Sequence, residues 1–482
     1  MSTIISINDI LKNKMVLSAN NYNKSKISTI CQKKLSDFVE SVDKGKEVGS
    51  ENYVEKSQFK FIRTSAIDDS YISIYMDNNS VVNINPKSFI AYDLKKGDIL
   101  ICKDSNVGGV VKLDRDYKNY MFSAGINRLH INHYKNYIFA IMKNYRFKRQ
   151  LESMVPKGTT LMHAKNLYLD CIIPFPKEEI IIDYVQKLVN IIENKENILK
   201  KKVIDINRFI MEEIKSNQND NILIYDYPSF KEVLALKRLD CGEYTKDFKQ
   251  NDFLIKNYRH GFFYLSKNNV KSGNTPPKRY ISKKENLKYY WITPTVVSDN
   301  GTISLVDRID CDNNNIKSNC ALVINRTSKG GFGEYCGITA FYDYGVFGEA
   351  QHNQGIYQIK NMEDRELIVL TSLMNCELYR KYCASLTLGS KMKELKLNNI
   401  LSIPYPNFPD DVKDRIVEMC YNKMNKDVAN ESNFVEKNFE WDSNAGILDI
   451  YQSLVKVKNI LNDVIEKIYS GDESIDKIYA VF

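Results

Sequence analysis

Apolar positions along this chain keep two different periods. From Phe59 to about Ile131 they fall in short runs rich in β-branched and aromatic residues, broken by Asp-Asp, Asn-Asn, Lys-Gly-Asp and Gly-Gly. This pattern predicts strands joined by turns. Residues 1 to about 50 read as helical and basic, with Ile4, Ile7, Ile10 and Leu11, then Leu35, Phe38 and Val39, at helix-like spacing. Tyr134 to Met154 returns to that spacing. Pro174-Phe-Pro176 then closes the unit, because proline continues neither a helix nor a central strand.

Glu178 to about Lys215 holds no glycine or proline, and Ile181, Val185, Leu188, Ile192, Leu199, Ile206, Ile210 and Ile214 recur along one face. A single helix of roughly 35 to 40 residues is expected, near 55 Å long at about 1.5 Å per residue. A helix that long needs a partner along its length. After Pro404-Tyr-Pro406, Val412, Ile416, Val417 and Met424 begin a second helical stretch, and Ile447, Ile450, Leu454, Val457, Leu461, Val464, Ile465 and Ile468 resume it. Between them, Lys426 to Gly446 breaks the period.

The chain is also written twice, its second half repeating the first about 230 residues further on. Ile99-Leu-Ile-Cys-Lys-Asp-Ser-Asn-Val-Gly-Gly109 aligns with Ala321-Leu-Val-Ile-Asn-Arg-Thr-Ser-Lys-Gly-Gly331. Lys157-Gly-Thr-Thr-Leu-Met-His and Ile172-Ile-Pro-Phe-Pro176 align with Leu388-Gly-Ser-Lys-Met-Lys and Ser402-Ile-Pro-Tyr-Pro406. Phe61 to Asp69 aligns with Trp291 to Asp299. A duplicated domain puts two similar surfaces on one polypeptide, which suits a ligand with two related parts.

At 482 residues, two or three domains are expected, and 43% hydrophobic content is enough for packed cores. The formal charge is only +8, but ten Lys or Arg residues stand against three Asp between Ile101 and Gln150. That block interleaves Lys135, Lys143, Arg146, Lys148 and Arg149 with Tyr134, Tyr137, Tyr145 and Phe147. It reads equally as a phosphate-binding surface and as a solvated helix face with its aromatics turned inward. Ten cysteines, none in Cys-x-x-Cys spacing, read as buried hydrophobes of a soluble, cytoplasmic protein, and no apolar run approaches a membrane span.

Catalytic signatures are missing. The sequence has no phosphate loop, no Gly-x-Ser-x-Gly elbow and no His-Glu-x-x-His pair. It also lacks the Asn/Asp-Pro-Pro-Tyr/Phe motif of amino-methyltransferases, of which Thr275-Pro-Pro-Lys278 keeps only the prolines. His130-Ile-Asn-His133 is a weak metal signal, and no metal site is expected. What recurs is a polar loop ending on two glycines after an apolar strand, Lys103 to Gly109 and Asn325 to Gly331. Glycines there let the backbone approach another surface, while the polar side chains before them can donate to phosphates or base edges.

Two diverged globular units, each closed by an Ile-Pro-aromatic-Pro element and followed by a long helix, resemble the specificity subunit of Type I restriction-modification systems. The resemblance rests on Lys157-Gly-Thr-Thr160 with Ile172 to Pro176, on Leu388-Gly-Ser390 with Ser402 to Pro406, and on Ser272-Gly-Asn-Thr-Pro-Pro277. It implies an α+β fold of two tandem, internally duplicated target recognition domains, β-rich with helices, separated by two long helices paired as an antiparallel coiled coil. The expected division is 1–177 and 218–406 for the recognition domains, 178–217 for the first spacer helix, and 407–482 for a second, interrupted helical region and tail. The sequence departs from the family in that interruption, and in the lack of a first-copy counterpart of Ser272 to Pro277.

The resemblance further implies a non-catalytic chain that reads a bipartite site in double-stranded DNA and positions two methyltransferase subunits there, as part of a phage-defence system. S-adenosylmethionine would belong to those partners, and ATP and Mg to a restriction and translocase subunit, with no cofactor in this chain. Loop position and side-chain type single out Lys103, Ser105, Asn106 and Arg128 in the first copy, and Asn325, Arg326, Thr327, Lys329 and Gln358 in the second. The basic block adds Arg146, Lys148 and Arg149. A recognition subunit of a related non-Type I system, or a non-DNA scaffold of β-rich domains, remains an alternative.

Overall fold

Between Lys60 and Ile131 the strands follow the turn signals of the sequence closely. In a computed structural model that describes residues 31–76, 79–155, 163–225, 227–236, 242–276, 281–282, 287–305, 307–310, 316–327, 335–389, 392–422 and 434–472, the chain forms two units. The first comprises the described residues of Met1–Ile198, Asp427–Ser443 and Gln452–Phe482, and the second those of Leu199–Lys426 and Asn444–Tyr451. Ile4 to Leu11, Lys157 to Thr160, Pro277, Lys329, Ser390 and Met424 lie outside the described residues.

Strands β1 (Cys31–Lys34), β2 (Val39–Lys44), β3 (Lys60–Ile62), β4 (Val81–Asn83), β5 (Ile99–Cys102), β6 (Val110–Lys112), β7 (Tyr120–Phe122), β8 (Ile126–Ile131) and β9 (Ile172–Phe175) belong to the first unit. The helical expectation for residues 1 to 50 is therefore corrected over its described part. Pairing of β1 with β9 and of β2 with β8 overrides the local spacing, and Leu35 and Phe38 bury their side chains around a single 3-10 turn. The basic block forms two helices, Lys135–Lys143 and Tyr145–Met154, broken at Asn144, whose side chain accepts from the Arg146 amide at 2.9 Å as an N-cap.

The second unit contains β10 (Phe262–Phe263), β11 (Val270–Ser272), β12 (Ile281–Ser282), β13 (Tyr289–Ile292), β14 (Arg308–Ile309), β15 (Cys320–Ile324), β16 (Arg326–Thr327), β17 (Thr339–Tyr342), β18 (Ala350–His352), β19 (Ile356–Ile359), β20 (Lys393–Glu394) and β21 (Tyr405–Pro406). Its main sheet, β11-β19-β15-β17, repeats the order β2-β8-β5-β6 of the first unit, antiparallel at every pairing. A smaller sheet repeats too. β3 lies between antiparallel β4 and parallel β7, as β13 lies between antiparallel β14 and parallel β18.

Register makes the equivalence residue by residue. Leu100 faces Arg128 and Leu322 faces Gln358 across β5–β8 and β15–β19, while Phe61 faces Met121 and Trp291 faces Gln351. The Ile-Pro-aromatic-Pro elements match as well, with Phe175 paired to Cys31 and Tyr405 to Phe263. By the same register Lys44-Gly45-Lys46 is the counterpart of Ser272-Gly273-Asn274, so the first copy does carry that turn. Gly45 and Gly273 are both forced: an added Cβ would stand 2.1 Å from the carbonyl oxygen of Ser123 and of Asn353, respectively.

The long helix spans Glu179–Ser216, close to its expected bounds. Its early face places Val185, Leu188 and Ile192 in one core with Ile99, Ile101 and Val110 of the sheet, Ile138 and Ile141 of the first basic helix, and Val457, Val464 and Ile468 of the C-terminal helix Ile447–Ser470. Each such aliphatic side chain contributes about 1.5–3 kcal/mol when fully buried. Its later residues Ile206, Ile210 and Ile214 are buried in the second unit, whose sheet core gathers Ile292, Leu322, Ala340 and Ile356.

The stretch Lys426–Gly446, read in the sequence as a break, holds a helix over Phe434–Asn444. Helix Asp410–Cys420 ends, Phe434–Asn444 follows, and Ile447–Ser470 starts after Gly446. Asp449 fixes that start, because its Oδ2 accepts from the amides of Asn422 (2.7 Å) and Gly446 (3.0 Å). Among the described residues, no helix is long and apolar enough to cross a membrane.

Candidate nucleic-acid interface

The first polar loop is built from its strand outward. Ile99, Leu100, Ile101 and Cys102 are all buried, and burial pushes the Cys102 thiol up to about 11, so this strand offers apolar or neutral groups only. The chain then turns back into β6: Cys102 donates to the Gly109 carbonyl at 2.8 Å, and Gly108 donates to the Cys102 carbonyl at 2.9 Å. Gly108 has φ +81°, and a Cβ on Gly109 would stand 2.5 Å from Nδ2 of Asn106. The two glycines thus close a tight hairpin.

That hairpin assigns its side chains unequally. Ser105 is exposed, at φ +66°. Lys103 is half-buried, with its backbone held by Gly125 and Ala164. Asn106 turns inward, donating to the Ile67 carbonyl and accepting from Lys148 Nζ, both at 2.8 Å. Lys148 also pairs with Asp69 at 2.8 Å.

Arg128 is held by two carboxylates of its own unit. Its guanidinium is clamped between Asp43 and, at 3.1 Å, Asp98, and its side chain is only 12% exposed. Burial raises the Asp43 carboxyl, but hydrogen bonds from His130 and Arg128 outweigh that and hold it below the usual range. His130 therefore has an aspartate as its partner. Among the described residues no group of three or more His, Cys, Asp or Glu side chains is arranged to hold a metal.

In the second unit, Asn325 and Gln358 are buried, 3% and 4% exposed, and their Oδ1 and Oε1 accept no hydrogen bond among the described residues. Arg326 and Thr327 form β16, half-buried, and Arg326 pairs with Glu394 at 2.6 Å.

The basic block divides the same way. Lys143 donates to the carbonyls of Asp68 (3.1 Å), Tyr71 (2.6 Å) and Val110 (2.9 Å). Arg146 pairs with Glu466 at 2.7 Å and lies over the Tyr469 ring at 5.3 Å. Tyr137 and Phe147 are sealed in the core. Arg149 differs: it is exposed and stacks its guanidinium 5.0 Å from the centroid of Tyr145, itself exposed. A cation on an outward aromatic is a combination that binds phosphate and can stack on a base.

Sequence reasoning missed the residues that anchor each loop from the other side, His163 in the first unit and Lys393 and Glu394 in the second. The signal was present, since both segments follow the matched Gly-Thr and Gly-Ser motifs.

No family model matches the chain, and no curated protein matches it. Solved structures are similar to it at low identity. The S subunit of a Type I restriction-modification system from M. genitalium aligns at 11% identity and TM-score 0.39, covering 91% of this chain and 95% of that one. A chain from work on complex assembly and conformational transition of the type I R-M system aligns at 12% and 0.30, covering 93% and 99%. The HsdS subunit of Thermoanaerobacter tengcongensis aligns at 12% and 0.29, covering 92% and 97%.

Proposed function

We propose that this chain is a specificity subunit of the Type I restriction-modification kind, reading double-stranded DNA at a bipartite site. The observation that carries this reading is the repeat: in two units of the same sheet order, a polar segment leaves the end of the same buried strand, β5 or β15. Two diverged readers on one chain suit two different half-sites. Ser105, Lys103 and Arg149 in the first unit, and Thr327 in the second, are the side chains proposed to meet DNA. The chain itself performs no chemistry in this reading. Two methyltransferase subunits bring S-adenosylmethionine, and a restriction subunit, where the system has one, brings ATP and Mg.

The test is selection of a randomised duplex library by the full chain together with its methyltransferase partner, at two salt concentrations. Two separated blocks of fixed sequence are expected, with affinity falling steeply in salt. A single block would reduce the reading to a related modification subunit. No sequence selection and no salt dependence would leave a scaffold.

A further inference from the structure

The two loops are anchored by the same backbone bonds. Lys103 donates to the Gly125 carbonyl at 2.8 Å, as Asn325 donates to that of Gly355 at 2.9 Å. On the other side, Ala164 donates to the Lys103 carbonyl at 2.8 Å, as Leu395 donates to that of Asn325 at 2.7 Å. One residue further, Asp104 bridges His163 in the first unit, and Arg326 pairs with Glu394 as β16 against β20 in the second. The chain crossing each loop comes from the segment after a helix pair, Lys135–Lys143 with Tyr145–Met154 in the first unit and Asp364–Asn375 with Glu377–Leu386 in the second, 59 and 68 residues further along the sequence.

At this shared position the acid and the base change places. Asp104 Oδ1 meets His163 Nδ1 at 2.7 Å, the acid on the loop and the base on the crossing segment. Arg326 Nη2 meets Glu394 Oε1 at 2.6 Å, the base on the loop and the acid on the crossing segment. Either order closes the same bridge, so the two units share the contact and differ in which side chain each presents at the root of its loop. The side chains are 28% and 53% exposed in the first unit and 33% each in the second, so both pairs are open to solvent on one side.

We propose that Asp104–His163 and Arg326–Glu394 are positioning pairs that fix the aim of the loops reading DNA. The specificity element of each unit is then the loop together with its crossing strand. This rests on the DNA reading above. It follows that a recognition loop cannot be exchanged by itself: Asp104→Arg alone would set a cation against His163, and Arg326→Glu alone would set two carboxylates together.

The experiment uses the full chain with its methyltransferase partner. Arg326→Glu, Glu394→Arg and the double exchange are compared by duplex selection and by hydrogen exchange at the Asn325 and Leu395 amides. Each single change is expected to lower discrimination at the second half-site roughly fivefold, to leave the first half-site as it was, and to speed exchange at both amides. The double exchange is expected to restore both slow exchange and the original second half-site, because the pair acts through the loop it aims. Unchanged discrimination in the single variants overturns the proposal, and so does a double exchange that regains slow exchange but selects an altered half-site, which would make Arg326 a DNA contact instead. If the unaltered chain selects no duplex, the DNA reading fails instead. The exchange rates then decide the anchor alone, with unchanged rates in the single variants overturning it too.

Discussion

The Lys195 ammonium and the Asp442 carboxylate meet at 2.5 Å, with side chains 0% and 1% exposed. Asn194 donates to the other carboxylate oxygen at 3.3 Å, and the Trp441 ring centroid lies 4.8 Å from the ammonium. Asp442 and Trp441 sit on Phe434–Asn444, within the stretch that breaks the apolar period of the second helical region, whereas Lys195 is on the long helix. A charge pair inside an apolar packing surface admits few alternative registers. It keys the returning segment to one place on the first unit.

Removing one partner should cost far more than removing both. Lys195→Met leaves a buried carboxylate uncompensated, with an expected loss of about 3–5 kcal/mol, whereas Lys195→Met with Asp442→Leu should recover most of it. Urea midpoints of the three proteins decide this. A double variant as unstable as the single one would mean that the charges do not act as a pair.

Gly45→Ala and Gly273→Ala should destabilise by similar amounts, about 1–3 kcal/mol each, because each added methyl meets backbone that cannot swing aside. Gly261 is the control, with φ +78° but nothing within 4 Å of an added Cβ, so Gly261→Ala should cost only the backbone strain, about 1 kcal/mol. Thermal unfolding of the three variants reads the difference. A harmless Gly45→Ala beside a damaging Gly273→Ala would break the equivalence of the two turns.

Those glycines also show where the sequence was legible. The repeat, the long helix and its interrupted counterpart are written in apolar periodicity, which packing demands on every turn of Glu179–Ser216. The turn at Gly45 was hidden because only the glycine is shared. Lys44 and Lys46 replace Ser272 and Asn274, since the constraint falls on the backbone and not on the flanking side chains. Site residues were least legible. Gln358 and Arg128 occupy equivalent positions opposite Lys271 and Asp43, and whether such a polar side chain faces water or the core depends on partners far away in sequence.

Arg149 and Arg146, three residues apart on one helix, should separate binding from stability. Arg149→Ala should leave the unfolding midpoint unchanged and flatten the slope of log affinity against log salt by about 0.9, the change expected when one phosphate is no longer neutralised. Arg146→Ala removes the partner of Glu466 and the cation over Tyr469, so it should lower stability with little change in slope. An Arg149→Ala protein with an unaltered salt slope would take this surface out of the interface.

His352 supplies the pH dependence. It is 1% exposed on β18, with Nδ1 donating to the Ile356 carbonyl at 3.2 Å and Nε2 meeting no partner among the described residues. Burial, with a smaller contribution from nearby Lys271, pushes its pKa down to about 4. The unfolded chain titrates near 6.5, so between pH 6.5 and 4 the unfolded state binds more protons, and stability falls as the solution is acidified through that window. The full loss is about 3 kcal/mol, complete below pH 4 and absent above 6.5. The first unit shows the cure, since Phe122 stands at the equivalent place, facing Ile62 as His352 faces Ile292. His352→Phe should therefore unfold with a free energy that differs from the unaltered protein by a constant above pH 6.5. Below that, the difference should swing in favour of the variant by about 3 kcal/mol as pH reaches 4. A difference that stays flat across the whole range would show that His352 is not the group taking up the proton.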